Sequence, residues 1–173
     1  MLDKVINAIN QAQKIVVIQA ENPDGDSLGS ALALEEVLGD LGKEVSLYCP
    51  VNIPKYLHYI NGWDRVEIDF NNHADLAIIV DTTAELLLGK ALEAPGVRHF
   101  LETHPTVVID HHATESTLTF DNILLTKPAV ATGEVLFDLF RAANWTINRQ
   151  AAENLLITIM SDSLGLTTPN TTA

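Results

Sequence analysis

The hydrophobic positions of the chain follow two alternating patterns. Short continuous apolar runs rich in Val and Ile are typical of strands buried on both faces. They occupy residues 14–19, 45–49, 76–80 and 106–109, with weaker candidates at 66–70 and 116–120. Segments with one apolar helical face separate these runs and predict helices at 2–13, 27–41, 84–92, 132–143 and 149–161, the last capped by Asn148. Strands alternating with helices predict a doubly wound, mostly parallel five-stranded α/β sheet with helices on both faces.

Composition narrows the classes of partner. The 173 residues are enough for one domain with a core, and no apolar run has the length of a membrane-spanning helix. Ten Lys and Arg against 23 Asp and Glu give a formal charge of −13, which disfavours long nucleic acid as a ligand. A small phosphorylated ligand stays open, because bound cations can reverse the local sign of the charge. The first residues show neither the basic region nor the long apolar core of a signal peptide, and the lone Cys49 lies in an apolar stretch, so we expect a buried thiol in a cytoplasmic protein without a membrane partner.

Acidic residues and histidines follow three of the predicted strands. Asp24 and Asp26 come after the first, Asp81 ends the strand at 76–80, and Asp110-His111-His112 ends the strand at 106–109. The carboxyl ends of parallel strands share one edge of the sheet, so these side chains should converge there. Carboxylates ~4 Å apart repel by about 4 kcal/mol at an effective dielectric of ~20, and cations among them would relieve that repulsion. Carboxylate and imidazole ligands without thiolate favour Mn²⁺ or Mg²⁺, and two such ions suit phosphoryl chemistry.

Each of these residues also has a purely structural explanation. Asp24-Gly25-Asp26 is compatible with a turn followed by a helix N-cap. Asp81 could cap the following helix, and His111-His112 could be one core and one exposed histidine. The joint arrangement of all of them at one edge favours the metal site.

Four segments, in order along nearly the whole chain, resemble the motifs of the DHH phosphoesterase superfamily. They are Asn22–Ser30, Ile78–Thr82, Asp110–His112 and Ser161–Gly165. Thr132-Gly133-Glu134 and Pro169-Asn170-Thr171-Thr172 further resemble the branch that contains nano-RNases and 3′-phosphoadenosine-5′-phosphate phosphatases.

The resemblance implies a role for each matching residue. The implied ligands of two Mn²⁺ or Mg²⁺ ions are Asp24 at the first ion, Asp26, His111 and Asp162 at the second, and Asp81 bridging both. His112 is implied as a catalytic residue, a phosphate contact or acid group, and Asp110 as the residue that orients an imidazole through its ring N–H. Nothing but the resemblance points to Asp162, which lies late in an apolar helical stretch.

The chain departs from the family pattern at two places. The first motif usually begins with a histidine three residues before the proline, and Ala20 holds that position here, so we expect a weakened first metal site. Family members also carry a smaller C-terminal domain with a Gly-rich, His-containing motif, and no such run occurs in this chain. We therefore expect a DHH catalytic domain at 1–163 and, at 164–173, the start of a linker to a substrate-binding domain absent from the chain.

The implied function is that of a metal-dependent hydrolase of phosphoric ester bonds. Its substrate and partner would be a small phosphorylated nucleotide or short oligonucleotide: nano-RNA, a cyclic dinucleotide or 3′-phosphoadenosine-5′-phosphate. An inorganic pyrophosphatase stays open, as does a metal- or nucleotide-binding relative whose activity is reduced because of Ala20. A signalling receiver domain fits less well, since Lys127 before Pro128 is a poor match for the lysine that such a domain needs. A homodimer is compatible with the sequence.

Overall fold

The computed structural model describes residues 1–169 and residue 171. Six strands form one sheet in the order β3-β2-β1-β4-β5-β6, and each neighbouring pair is parallel. The strands are β1 (Lys14–Ile18), β2 (Glu44–Tyr48), β3 (Val66–Glu67), β4 (Leu76–Val80), β5 (Thr106–Asp110) and β6 (Ile123–Thr126). The α/β class and the parallel sheet predicted from the hydrophobic pattern are thus confirmed.

Helices connect the strands and cover both faces of the sheet. They are α1 (Leu2–Gln11), α2 (Gly25–Asp40), α3 (Gly89–Glu93), α4 (Val97–Thr103), α5 (Thr132–Ala142) and α6 (Arg149–Asp162). Short 3₁₀ turns lie at Lys55–Leu57, Trp63–Arg65 and Glu85–Leu88. As predicted, Asn148 caps α6, its side chain accepting a hydrogen bond from the backbone N–H of Ala151.

Two apolar layers hold these helices against the sheet. Alternate residues of β1 point to opposite faces, so Ile15 and Val17 join one layer while Val16 and Ile18 join the other. The larger layer packs α1, α2, α5 and α6, and the smaller one packs α3, α4 and Phe120. Among the described residues, no helix combines the length and the apolar character needed to cross a membrane.

The strand order places a crevice at the carboxyl edge of the sheet. The chain winds outward from β1 in one direction to β2 and β3, and then returns to the other side of β1 with β4. Segments leaving β1 and β4 therefore diverge to opposite sides, which in open parallel sheets creates the usual ligand-binding position. This position lies between the loop that precedes α2 and the residue that follows β4.

The edge of the sheet differs from the prediction in its strand count, because six strands form where five were expected. Ser116–Phe120 is not a strand, since its backbone bonds a loop: Thr117 N–H donates to the carbonyl of Thr83, and Thr119 N–H to the carboxylate of Glu85. The edge strand is instead Ile123–Thr126, which is only partly buried and has an apolar run of just three residues.

Two other segments bear on the sequence predictions. The seven-residue α4 was not predicted, and the weak helix expected at 84–92 is a 3₁₀ turn followed by the short α3. The expected linker at 164–173 and the motif at 169–172 lie partly outside the described residues, which omit 170, 172 and 173.

Candidate metal centre

Asp26 lies fully buried in the first turn of α2, at the centre of the crevice. Its Oδ2 accepts a hydrogen bond from the backbone N–H of Thr132 at 2.7 Å. Its Oδ1 accepts from the backbone N–H of Gly133 at 3.3 Å and from the hydroxyl of Ser30 at 3.2 Å. A buried carboxylate needs such donors, and here the N-terminus of α5 supplies two of them.

Asp81 follows β4 in a backbone conformation that few residues other than glycine adopt. Its φ is +62°, which aspartate tolerates better than most side chains. Its backbone N–H still donates to the carbonyl of Ile109 at 2.9 Å, so the residue stays tied to β5. Its Oδ1 accepts a hydrogen bond from the hydroxyl of Thr132 at 2.9 Å. The turn thus directs the carboxylate toward α5, and in the described structure Asp81 does not cap a following helix.

His111 follows β5 and presents one ring nitrogen to the crevice. Its Nδ1 lies 3.1 Å from the carbonyl oxygen of Ala129, which only accepts, so Nδ1 carries the hydrogen. Nε2 is buried and makes no hydrogen bond of good geometry within the described structure. It lies 3.2 Å from Oδ2 of Asp162, 3.6 Å from Oδ2 of Asp26 and 3.7 Å from Oδ1 of Asp81. A neutral His111 would therefore point a lone pair at three carboxylate oxygens.

Asp162 ends α6 and enters the site because α6 packs closely against the start of α2. A Cβ on Gly25 would lie 2.5 Å from the hydroxyl oxygen of Ser161, so only glycine allows this approach. The glycine between Asp24 and Asp26 therefore brings the last turn of α6 beside the carboxylate of Asp26.

Asp24 is used differently from the other carboxylates. It is the N-cap of α2, and its Oδ1 accepts hydrogen bonds from the backbone N–H groups of Asp26 and Ser27 at 3.0 and 2.9 Å. The hydroxyl of Ser27 accepts in turn from the backbone N–H of Asp24 at 3.0 Å, which completes a capping box. The structural explanation given for this segment is therefore correct for Asp24. Ala20, on the same edge, is buried and has no side-chain donor atom.

Asp110 orients His112 rather than His111. Its buried Oδ1 accepts from Nδ1 of His112 at 2.7 Å and from the backbone N–H groups of both histidines. These hydrogen bonds outweigh the effect of burial and lower the pKa of Asp110, and the same contact raises the pKa of His112. The side chain of His112 is half exposed, so its other nitrogen is free to meet a ligand.

The cluster attracts positive charge. Burial raises the pKa of Asp26 to about 6, and the charges of Asp162 and Asp24 act in the same direction. Burial, followed by the charges of Asp26 and Asp24, raises the pKa of Asp81 well above its usual range. Burial opposes the charge on His111, but Asp162, the Ala129 carbonyl and Asp26 outweigh it and raise its pKa to about 9. In the absence of other cations, protons therefore remain among these groups.

The donor atoms suit divalent cations. Asp26, His111 and Asp162 each offer one ligand atom within 4.8 Å of the others, and so do Asp81, His111 and His112. Oxygen and imidazole donors without thiolate match Mn²⁺ better than a structural zinc. Neither group includes Asp24. Of the five residues implied as ligands, Asp26, Asp81, His111 and Asp162 converge around Nε2 of His111, while Asp24 caps its helix.

A pocket of about 630 Å³ opens beside the two histidines. The described residues that line it are His111, His112, Ala113, Pro128, Ala129, Val130, Glu134 and Pro169. No Lys or Arg is among these described residues, so the pocket itself offers an anion little beyond the histidines.

Two residues that organise the site were assigned no role from the sequence, although one of them, Thr132, lies in a family motif. The carbonyl of Ala129 sets the tautomer of His111, and Thr132 hydrogen-bonds both Asp26 and Asp81. Thr132 begins the helix that follows β6, so its N–H groups point toward the carboxyl edge of the sheet. Recognition of β6 as a strand would have revealed this, whereas the carbonyl of Ala129 has no sequence signal.

The chain is similar in sequence to curated proteins about twice its length. The bifunctional oligoribonuclease and PAP phosphatase NrnA of Mycoplasma genitalium is 28% identical over 165 residues, which cover 94% of this chain and 50% of that protein. A probable manganese-dependent inorganic pyrophosphatase of Enterococcus faecalis is 27% identical over 165 residues, 92% of this chain and 51% of that protein. The chain thus spans about half the length of these relatives.

A solved structure has the same fold as this chain. An exopolyphosphatase-related protein from Bacteroides fragilis superposes with a TM-score of 0.84 at 24% identity, over 96% of this chain and 51% of that one. The model of the DHH family, N-terminal domain, matches residues 14–160. The resemblance read from the four motifs is therefore confirmed, and the chain belongs to the DHH family.

Proposed function

We propose that this chain is the metal-binding half of a phosphoesterase that hydrolyses short nucleotides. The observation that carries the proposal is Nε2 of His111, buried without a good hydrogen bond and surrounded by carboxylate oxygens of Asp26, Asp81 and Asp162. A lone pair directed at buried oxygens is unfavourable unless a proton or a metal ion lies between them. We propose Mn²⁺, or Mg²⁺ in its place, as that ion.

A cation is also needed to bind a phosphorylated substrate here. The net charge of the chain is −13, and the described pocket lining has no Lys or Arg. The nearby Lys127 forms an ion pair with Asp138. Bound divalent ions would reverse this potential locally, polarise a phosphoryl oxygen and lower the pKa of a coordinated water.

His112 is the proposed phosphate contact or acid. Asp110 fixes its ring through Nδ1 and raises its pKa, so the ring is charged over a wider pH range and Nε2–H can donate to a phosphoryl oxygen. The half-exposed ring also lines the pocket. Its position matches the role implied by the motif, although its geometry beside Asp81 and His111 would also allow it to bind a metal.

Short nucleotides are the favoured substrate class. The Mycoplasma genitalium relative is named as an oligoribonuclease and PAP phosphatase, and Thr132-Gly133-Glu134 resembles the same branch. We propose nano-RNA, a cyclic dinucleotide or 3′-phosphoadenosine-5′-phosphate, and no long nucleic acid, because the acidic surface repels extended polyanions.

The test is Mn²⁺-dependent hydrolysis by the natural protein that carries this chain. Phosphate release from 3′-phosphoadenosine-5′-phosphate and mononucleotide release from a diribonucleotide are measured with and without Mn²⁺, beside Asp81→Asn. We expect turnover that needs Mn²⁺ and falls by at least about a hundredfold in Asp81→Asn. Equal residual rates in the two proteins would contradict the proposal.

Pyrophosphate is the second candidate substrate. The Enterococcus faecalis relative, named as a manganese-dependent inorganic pyrophosphatase, is 27% identical, close to the 28% of the first relative. The rates of hydrolysis of pyrophosphate and of the nucleotides, measured on one preparation, distinguish a pyrophosphatase from a nucleotide phosphoesterase. A rate on pyrophosphate well above both nucleotide rates would favour the pyrophosphatase.

The third candidate is a metal-binding relative with reduced activity. Ala20 offers no ligand atom and Asp24 is engaged in capping α2, so we propose that the first ion binds more weakly than the second. Mn²⁺ binding without measurable turnover of 3′-phosphoadenosine-5′-phosphate, the diribonucleotide or pyrophosphate would favour this third candidate.

A further inference from the structure

Thr132 contacts both of the carboxylates that lie deepest in the site. Its backbone N–H donates to Oδ2 of Asp26 at 2.7 Å, and its hydroxyl donates to Oδ1 of Asp81 at 2.9 Å. The residue is fully buried at the first position of α5. Asp26 lies on α2 and Asp81 follows β4, so this one residue joins two elements that the sequence separates by 55 positions.

The two oxygens that Thr132 contacts are the ones that face His111. Nε2 of His111 lies 3.6 Å from Oδ2 of Asp26 and 3.7 Å from Oδ1 of Asp81. A carboxylate oxygen has two lone pairs, so each oxygen can accept from Thr132 with one and bind an ion with the other. The hydrogen bonds thus fix which oxygen, and which of its sides, each aspartate presents to the site.

The packing of α5 holds Thr132 in this place. Gly133 lies so close to α6 that a Cβ on it would overlap the hydroxyl oxygen of Thr158. The start of α5 is therefore seated directly on the helix that carries Asp162. Movement of Thr132 away from the aspartates would require α5 to separate from α6.

We propose that Thr132 is a positioning residue that holds Asp26 and Asp81 in the geometry needed to bind the metal ion. The proposal rests on the metal site proposed above. The hydroxyl acts on Asp81 and the backbone N–H on Asp26, so removing the hydroxyl releases Asp81 alone. Groups that orient metal ligands typically contribute about 10- to 100-fold in metal affinity.

The test compares Thr132→Val, which keeps the shape and loses the hydroxyl, with Thr132→Ser, which keeps the hydroxyl. Mn²⁺ affinity and stoichiometry are measured by calorimetry on the full chain, after circular dichroism has shown that each variant is folded. We expect Thr132→Val to bind Mn²⁺ about tenfold more weakly with unchanged stoichiometry, and Thr132→Ser to stay within about threefold of the parent. If Thr132→Val does not fold, Thr132→Ala takes its place.

A matched control separates positioning from the general cost of placing valine at a buried threonine. Thr106 is also buried, but it begins β5 at the opposite edge of the sheet, and its hydroxyl contacts the carbonyl of His104. Thr106→Val should lower thermal stability and leave Mn²⁺ affinity unchanged. Parent-like affinity in Thr132→Val would overturn the positioning role, as would equal losses in Thr132→Val and Thr132→Ser. If the parent chain itself binds no Mn²⁺, the metal site of the proposed function fails instead.

Discussion

The two sides of the candidate centre use their carboxylates in different ways. The Asp26 side consists of Asp26, Asp81, His111 and Asp162, whose donor atoms converge around one buried nitrogen. The Asp24 side consists of Ala20 and Asp24, where one residue has no donor atom and the other caps α2. Both sides lie on the same edge of the sheet, and Asp24 and Asp26 are separated by a single glycine.

Hydrogen bonds direct the donor atoms of the two sides differently. On the Asp26 side, Thr132 donates hydrogen bonds to Asp26 and Asp81, and the carbonyl of Ala129 accepts one from Nδ1 of His111. These contacts leave lone pairs of the three side chains directed at the space around Nε2 of His111. On the Asp24 side, two backbone N–H groups of α2 donate to one oxygen of Asp24, which is the N-cap of that helix. A metal motif in the sequence therefore names the residues without saying which of their donor atoms come close together, and Asp24 belongs to neither group of converging donor atoms. We expect the Asp26 side to bind Mn²⁺ more tightly than the Asp24 side.

Removing a proposed metal ligand from the Asp26 side should have the largest effect. Asp81→Asn keeps a side chain that tolerates the φ of +62° but removes the charge, and we expect it to weaken Mn²⁺ binding by more than about a hundredfold. Calorimetric titration of the full chain measures this. The control is Asp121→Asn, at an exposed position, which should bind Mn²⁺ like the parent. If Asp81→Asn bound Mn²⁺ as tightly as the parent, the proposed difference between the Asp26 side and the Asp24 side would be contradicted.

The pH dependence of Mn²⁺ binding should locate the proton that the ion displaces. Without metal, the pKa of His111 is raised to about 9 and that of Asp26 to about 6, so between these values His111 is protonated while Asp26 is largely ionised. A metal ion needs the lone pair on Nε2, so binding in this range should release the proton of His111 together with any proton that the raised pKa of Asp81 retains, and affinity should rise at least about tenfold per pH unit from 6 to 8.

Calorimetry in two buffers of different ionisation enthalpy counts the released protons. Heats that do not depend on the buffer at pH 7 would show that His111 is already neutral or does not bind the ion. His111→Gln is the companion variant, since it removes the titrating ring and should lower the number of protons released per ion by about one.

The sequence predicted the central strands that carry the site better than the strand at the edge of the sheet. The buried strands β1, β4 and β5 have continuous apolar runs because both of their faces are covered, and they place Asp81 and His111 at one edge without further information. Strand β6 is only partly buried and its apolar run, Ile123–Leu125, is short, so it was not predicted, while the segment at 116–120 proved not to be a strand.

The finer geometry of the centre depends on contacts between distant elements. Asp162 lies near His111 because Gly25 lets α6 approach α2, and no periodic pattern encodes that approach. The motif resemblance supplied Asp162 and implied that Asp24 and Asp26 bind different ions. The cap of α2 was one of the structural explanations open for this segment, but the hydrogen bonds from the distant α5 to Asp26 have no signal in sequence spacing.

Adding a ligand to the Asp24 side should have the next largest effect. Ala20→His introduces an imidazole at a buried position two residues beyond β1, and we expect a second Mn²⁺ equivalent to bind at least about tenfold more tightly than in the parent. Calorimetry that resolves two classes of site gives the result. Ala20→Leu adds similar bulk without a donor atom and should not show the gain. If Ala20→His binds like Ala20→Leu, Ala20 is not the cause of the weaker side.

Changing Asp24 itself should have the smallest effect on the tighter ion. Asp24→Asn keeps an oxygen that can cap α2, whereas Asp24→Ala removes the cap and should lower the free energy of unfolding by about 1 kcal/mol. If capping is the main use of Asp24, the Asn variant should keep parent-like stability and bind the tighter Mn²⁺ within about threefold of the parent. Urea unfolding and calorimetry on the three proteins measure the two quantities. A loss of tight Mn²⁺ binding in Asp24→Asn, comparable to that in Asp81→Asn, would mean that the free oxygen of Asp24 serves the same ion and that the two sides form one site.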